Sequence, residues 1–131
     1  MKKVLLGFAV IMLAVVAVSC SSKSNSPKDV AETFIQAMKS KNYEKAADCY
    51  YYEGTKDEIK ADRAQMVAFM EKAGQSMEKQ GGIKSYKINS VEEDGDTAVV
   101  KGEITYGDGE VKEDEILTKK VDGKWYIDLD K

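Results

Sequence analysis

Between Ser26 and Met77 the apolar residues recur at steps of three and four, whereas from Ile83 onward they recur at steps of two, so helices give way to strands across Gly81-Gly82. Ser26 can cap a first helix, Pro27 suits its first turn, and Asp29 stands where a carboxylate can return a bond to the cap. Val30, Ala31, Phe34, Ala37 and Met38 form its apolar stripe. A second helix from about Asn42 repeats the pattern with Tyr43, Ala46, Ala47 and Tyr50, making a helical hairpin. After Glu53-Gly54, Thr55 and Glu58 have the spacing of a capping box that opens a third helix. Ile59, Met66, Met70, Ala73 and Met77 trace one face of it, with Val67 and Phe69 beside them, and Gly74 is expected to kink it. Methionines at helical spacing are read as core filling rather than as an adaptable binding surface.

Four strand segments follow, separated by Asp94-Gly95, Gly107-Asp108-Gly109 and Asp122-Gly123. Tyr86 and Ile88 alternate in the first, Ala98, Val100, Ile104 and Tyr106 in the second, and Trp125, Ile127 and Leu129 in the fourth, with Trp125 as the anchor of the sheet core. The third is charged from Glu110 to Glu115, and either Ile116 or Leu117 faces the core, depending on whether the Asp122-Gly123 loop has two residues or more. The expected fold is α+β: three N-terminal helices packed on one face of a curved four-stranded antiparallel meander.

The front of the chain has another character. Met1-Lys2-Lys3 is a positive tip and Val4–Val18 an apolar run short for a bilayer span of about 20 residues, so 1–19 reads as a cleaved targeting segment. Ala17-Val18-Ser19-Cys20 resembles the lipobox of bacterial lipoproteins, with alanine where leucine is usual; ordinary cleavage after Ser19 is the alternative. The resemblance implies a lipidated Cys20 as the membrane anchor. Residues 20–25 then form a polar tether, and 26–131 form one folded domain. Ser21 is not the aspartate associated with inner-membrane retention, and no acidic run follows. The resemblance therefore implies an outer-membrane lipoprotein facing the periplasm, with the cell surface as the alternative.

Lys41-Asn42-Tyr43-Glu44-Lys45-Ala46, Gly95-Asp96-Thr97-Ala98-Val99-Val100, Tyr106-Gly107-Asp108-Gly109 and Asp122-Gly123-Lys124-Trp125-Tyr126-Ile127 together resemble the nuclear transport factor 2-like (cystatin-like) superfamily. Within it, the chain is similar to bacterial lipoproteins of unknown function, some labelled lumazine-binding-like. The resemblance spans Ser26 to Leu129 and implies a cone with a pocket between helices and sheet. Several relatives are isomerases or dehydratases working through histidine, aspartate or tyrosine. The shared motifs are structural and carry no activity.

Composition narrows the chemistry. The chain of 131 residues has no histidine, which excludes histidine-based triads and dyads, histidine-ligated zinc and a histidine general base. A formal net charge of −3, more acidic once Lys2 and Lys3 are removed, argues against nucleic acid. The cysteines are Cys20 and Cys49; with Cys20 modified, Cys49 has no partner and reads as a small buried hydrophobe. The acidic turns Glu92–Asp96 and Asp108–Glu110 lack the oxygen spacing of a calcium loop, and neither metal nor cofactor is expected. Glu32, Asp48, Glu53 and Asp57 in the helical half and Asp128 with Asp130 at the end read as a solvated face, and no catalytic residue is assigned. Tyr50-Tyr51-Tyr52 stands out, because successive helical residues point about 100° apart and three rings cannot enter one core. Tyr50 continues the stripe; Tyr51 and Tyr52 are candidate contacts for a ligand or an envelope protein. The function expected is a membrane-anchored cell-envelope binding module, with a small apolar ligand in the cone. The alternative is an isomerase- or dehydratase-type enzyme using a carboxylate and a tyrosine there.

Overall fold

The computed structural model describes residues 26–129. In these residues three helices, α1 (Pro27–Lys39), α2 (Tyr43–Asp48) and α3 (Lys56–Glu78), precede four strands, β1 (Ile83–Asp94), β2 (Thr97–Tyr106), β3 (Val111–Val121) and β4 (Lys124–Ile127). Residues 1–25, with the Cys20 expected to be lipidated, lie outside the described residues, as do Asp130 and Lys131. No helix among the described residues is long and apolar enough to cross a membrane.

Each helix starts where its cap stands. Ser26 Oγ accepts from the Asp29 N–H at 3.1 Å, without a return bond, and Asn42 Oδ1 accepts from Lys45 N–H at 3.2 Å. At Thr55 both halves of the capping box form, with Glu58 N–H donating to Oγ1 at 3.2 Å and Thr55 N–H donating to Glu58 Oε1 at 2.9 Å. Helix α1 is central: it touches all four strands and α2. Covered on two sides, it also buries Ile35, which lies outside the stripe expected from spacing. Helix α3 rests mainly on α2, so of its apolar face only Met70 is fully buried, and Phe69 is 63% exposed. The helix runs unbroken through Gly74, which is the point where the Tyr43 ring presses on the α3 backbone.

The sheet is a meander in the order β1-β2-β3-β4, all antiparallel. Asp122 (φ 53°) and Gly123 (φ 82°) are both left-handed, which makes the last turn a two-residue loop of the kind that matches strand twist. That loop decides the register of β3. Val121 pairs with Lys124 and Thr118 with Ile127, so Ile116 points into the core at 7% exposure and Leu117 points out. Thr118 is buried with it, and its hydroxyl donates to Ala98 O at 3.0 Å. Trp125 and Ile127 are buried as expected, but Leu129 is 42% exposed, because β4 ends at Ile127 and the alternation ends with it.

All the buried apolar residues but Ala47, from Val30 to Ile127, belong to one cluster. The domain from Ser26 onward therefore holds an apolar core of its own on which it can fold.

Candidate functional site

Helix α2 stops at Asp48, so Tyr50-Tyr51-Tyr52 is not helical, contrary to the expectation from the α2 stripe. The chain there runs extended beside β4. Ile127 N–H donates to Cys49 O at 2.7 Å, Tyr51 N–H donates to Ile127 O at 3.3 Å, and Tyr50 bridges Ile127 in parallel. Extended chain alternates its side chains by two rather than turning them by a helical step. Tyr50 therefore points inward, its ring edge-on to Phe34 at 5.7 Å. Tyr51 points to the opposite face, where its ring lies 5.4 Å from Tyr126 and Lys119 Nζ sits 5.0 Å over it. Tyr52 returns to the helical side, its hydroxyl donating to Ala47 O at 2.6 Å, and its ring lines a hollow with Met66, Phe69 and Leu129. The two candidate contacts thus lie on opposite faces, and no one small ligand can touch both.

Between the helices and the sheet lies a groove of about 480 Å³. Phe34 of α1, Tyr50, Met66 and Phe69 of α3, Ile116 of β3, Ile127 of β4 and Leu129 line it, together with Asp114, Glu115 and Asp128. This is the cone interior that the helical hairpin and the meander would enclose. A larger depression of about 680 Å³ lies between α1 and the start of β1, with a mixed lining in which Asp29, Glu32, Lys39 and Lys45 stand beside Ile35, Ile83 and Tyr86.

Asp114 is the residue that sequence reasoning missed. It pairs across the sheet with Gly102, on the face that carries Ile116 and Thr118, and is half-buried. Burial pushes its carboxyl above the usual value of 3.8, against a backbone N–H bond from Glu115 that lowers it. Gly102 leaves room for Tyr86, whose Oη would lie 3.0 Å from a Cβ placed there. That hydroxyl is buried without a hydrogen-bond partner among the described residues. Burial, then the Asp114 charge, then Glu32 push it up to about 12. Tyr50 is likewise pushed up to about 12, by burial first, then Cys49 and Asp114. Asp114 and Tyr50 thus line the groove together, whereas Tyr86, which also feels the Asp114 charge, lines the larger depression. Cys49 is buried, its thiol raised to about 12 by burial and then by Asp48, with Sγ donating to Lys45 O at 3.5 Å. It is a packing residue. Asp48 itself lies on the outside, paired with Arg63 at 2.6 Å, and Asp128 is paired with Lys119 at 3.7 Å.

The chain belongs to the family described as domain of unknown function (DUF4878), whose model matches residues 18–128. Among solved structures it is similar to a candidate NTF2-like transpeptidase from Campylobacter jejuni, at 16% identity over 79% of this chain and 98% of that one, with a TM-score of 0.69. It is also similar to a SEC-C motif containing protein from Rhodopseudomonas palustris, at 12% identity over 82% and 79% of the two chains and a TM-score of 0.58. A DUF4783 family protein from Bacteroides ovatus matches at 13% identity over 80% and 91%, with a TM-score of 0.54. No curated protein matches the chain. What these structures share with it is the fold, an α+β cone of the nuclear transport factor 2-like class.

Proposed function

We propose that the protein is a membrane-anchored binding module of the cell envelope that holds a small, mainly apolar ligand between its helices and sheet. One observation carries this reading: a groove of about 480 Å³ stands open where Phe34, Met66, Ile116 and Ile127 could otherwise close into core. That volume is in the range of small-molecule sites, about 300–1,000 Å³. The anchor rests on the sequence alone, on the positive tip, apolar run and small residues before Cys20. Bacterial lipoproteins carry several acyl chains, which hold where a single one anchors only marginally. The test is extraction of the full chain from envelopes, with intact mass and mass spectrometry of what co-purifies. A lipidated N-terminus at Cys20 and a stoichiometric small molecule are expected. An unmodified chain that leaves the membrane fraction without detergent, as Cys20→Ala should, would refute the anchor; a ligand-free domain would refute the module.

The enzymatic reading is favoured by a carboxyl and a phenol in the same groove, the recessed Asp114 and Tyr50, which feels its charge. A carboxyl raised by burial is moved in the direction that acid–base chemistry near neutral pH needs. If the groove is catalytic, the protein should exchange protons of its co-purified compound with deuterated water, and Asp114→Asn should stop it. An acyl-transfer reading, the activity named for the Campylobacter relative, has little support: Cys49 is buried with its thiol pushed up to about 12, and the chain has no histidine.

A further inference from the structure

We infer that the groove selects a single-chain amphiphile whose head is a cation; this deepens the binding-module reading and rests on it. The apolar half of the ligand is set by the walls. Phe69 and Leu129, two of the large apolar side chains left exposed, both line the groove, together with the more deeply buried Ile116 and Ile127 and with Phe34. An acyl or alkyl body laid between them would cover both and recover burial that the fold itself leaves unmade.

The head is set by charge. Asp114, Glu115 and Asp128 line the groove, Asp62 lines the hollow that shares Met66, Phe69 and Leu129, and no lysine or arginine lines either. These acids are not equivalent. Asp128 is bridged to Lys119 and Glu115 is exposed, whereas Asp114 is recessed and has no ion-pair partner among the described residues. Lys112, two residues along β3 on the same face, turns its ammonium over the Tyr106 ring at 5.8 Å. A half-buried carboxylate is where an added cation gains most, because Coulomb attraction strengthens as water is removed. The Phe34–Tyr50 ring pair in the same groove favours a cation again, through its aromatic faces. A carboxylate or phosphate head meets repulsion from the same residues, and a neutral head forgoes the attraction.

The experiment is calorimetric titration of the domain from Ser26 with decylammonium, decanol and decanoate, each below its aggregation concentration. Decylammonium should bind about tenfold or more tighter than decanol, with decanoate weakest. Asp114→Asn should bring decylammonium to within about threefold of decanol and leave decanol unchanged, and Phe69→Ala should weaken both alike. Equal binding of decylammonium and decanol to the unaltered domain overturns the cationic head while leaving the groove as a ligand site. Failure of all three to bind, or binding that Phe69→Ala does not touch, overturns the groove reading and this inference with it. Sedimentation that shows a dimer dissolved by Phe69→Ala would assign the groove to a second copy of the chain and equally overturn it.

Discussion

Gly74 of α3 and Tyr43 of α2 are in contact so close that a Cβ at Gly74 would lie 2.8 Å from Tyr43 Cε1, and nearer still to the phenol oxygen. Alanine is ordinarily the better helix former by about 1 kcal/mol. Here the sign should reverse. Gly74→Ala should destabilise by about 1–3 kcal/mol, the range for overpacking, because the ring cannot retreat from a backbone it touches. Tyr43→Phe in the same chain should recover part of that loss by removing the atom nearest the new methyl. A Gly74→Ala domain as stable as the parent in urea would show that the two helices slide apart freely.

Trp125 is 4% exposed and follows the tight Asp122-Gly123 turn. Trp125→Ala should cost about 3–5 kcal/mol, a large share of a small domain's stability. The melting midpoint of the domain is the measurement, and an unchanged midpoint would move Trp125 from core to surface.

The three consecutive tyrosines should separate in experiment as they do in space. Tyr50→Ala removes a ring packed on Phe34 and should destabilise strongly. Tyr52→Phe should lose about 0.5–1.5 kcal/mol of stability with the bond to Ala47 O, yet keep ligand binding. Tyr52→Ala should also weaken binding by about 1 kcal/mol or more, because its ring lines the hollow with Phe69 and Leu129. Tyr51→Ala should leave the groove's ligand alone, and a pull-down that loses a protein partner in this variant would mark the outer face as the contact. Paired melts and titrations check all four.

The buried hydroxyl of Tyr86 has no partner among the described residues, and an unsatisfied buried polar group costs about 1–3 kcal/mol. Tyr86→Phe should therefore raise stability, by about 1 kcal/mol. At high pH the same tyrosines should weaken the fold. Tyr50, Tyr52 and Tyr86 are pushed by burial from 10.0 to about 12, so the unfolded chain ionises first. Their contribution is whole below pH 10.0 and is lost as the pH climbs to about 12. A melting midpoint that falls across this window, less steeply in Tyr86→Phe, is the expected result.

Asp114 should act on the acid side. Its folded carboxyl is raised above 3.8, so the folded state holds the proton more tightly and stability falls as the pH rises out of that range. Asparagine does not ionise. The midpoint of Asp114→Asn relative to the parent should become more favourable from pH 3 to pH 7, and a pH-independent difference would mean that Asp114 is solvated.

Helix starts, turn positions and the core of β2 were legible in the chain because each is decided by neighbours a few residues away. Ser26 with Asp29, Thr55 with Glu58, and Asp122 with Gly123 are local devices that work in any fold. Local reasoning failed where an element's surroundings decide. Nothing near Gly74 in sequence announces its contact with Tyr43, and the tyrosine triplet looked helical because the pairing of Cys49 and Tyr51 with Ile127 spans most of the domain. The candidate site was hidden for the same reason. Asp114 stands in a run of charges with no alternation to read, and only the pairing of β3 with β2, which sets Asp114 opposite Gly102, turns that one carboxylate inward. Sequence by itself determined the elements, their order and the class of fold, since those follow from periodicity and caps. The tertiary structure decided which side chains line the groove, because strand register and helix contact are set by partners distant along the chain.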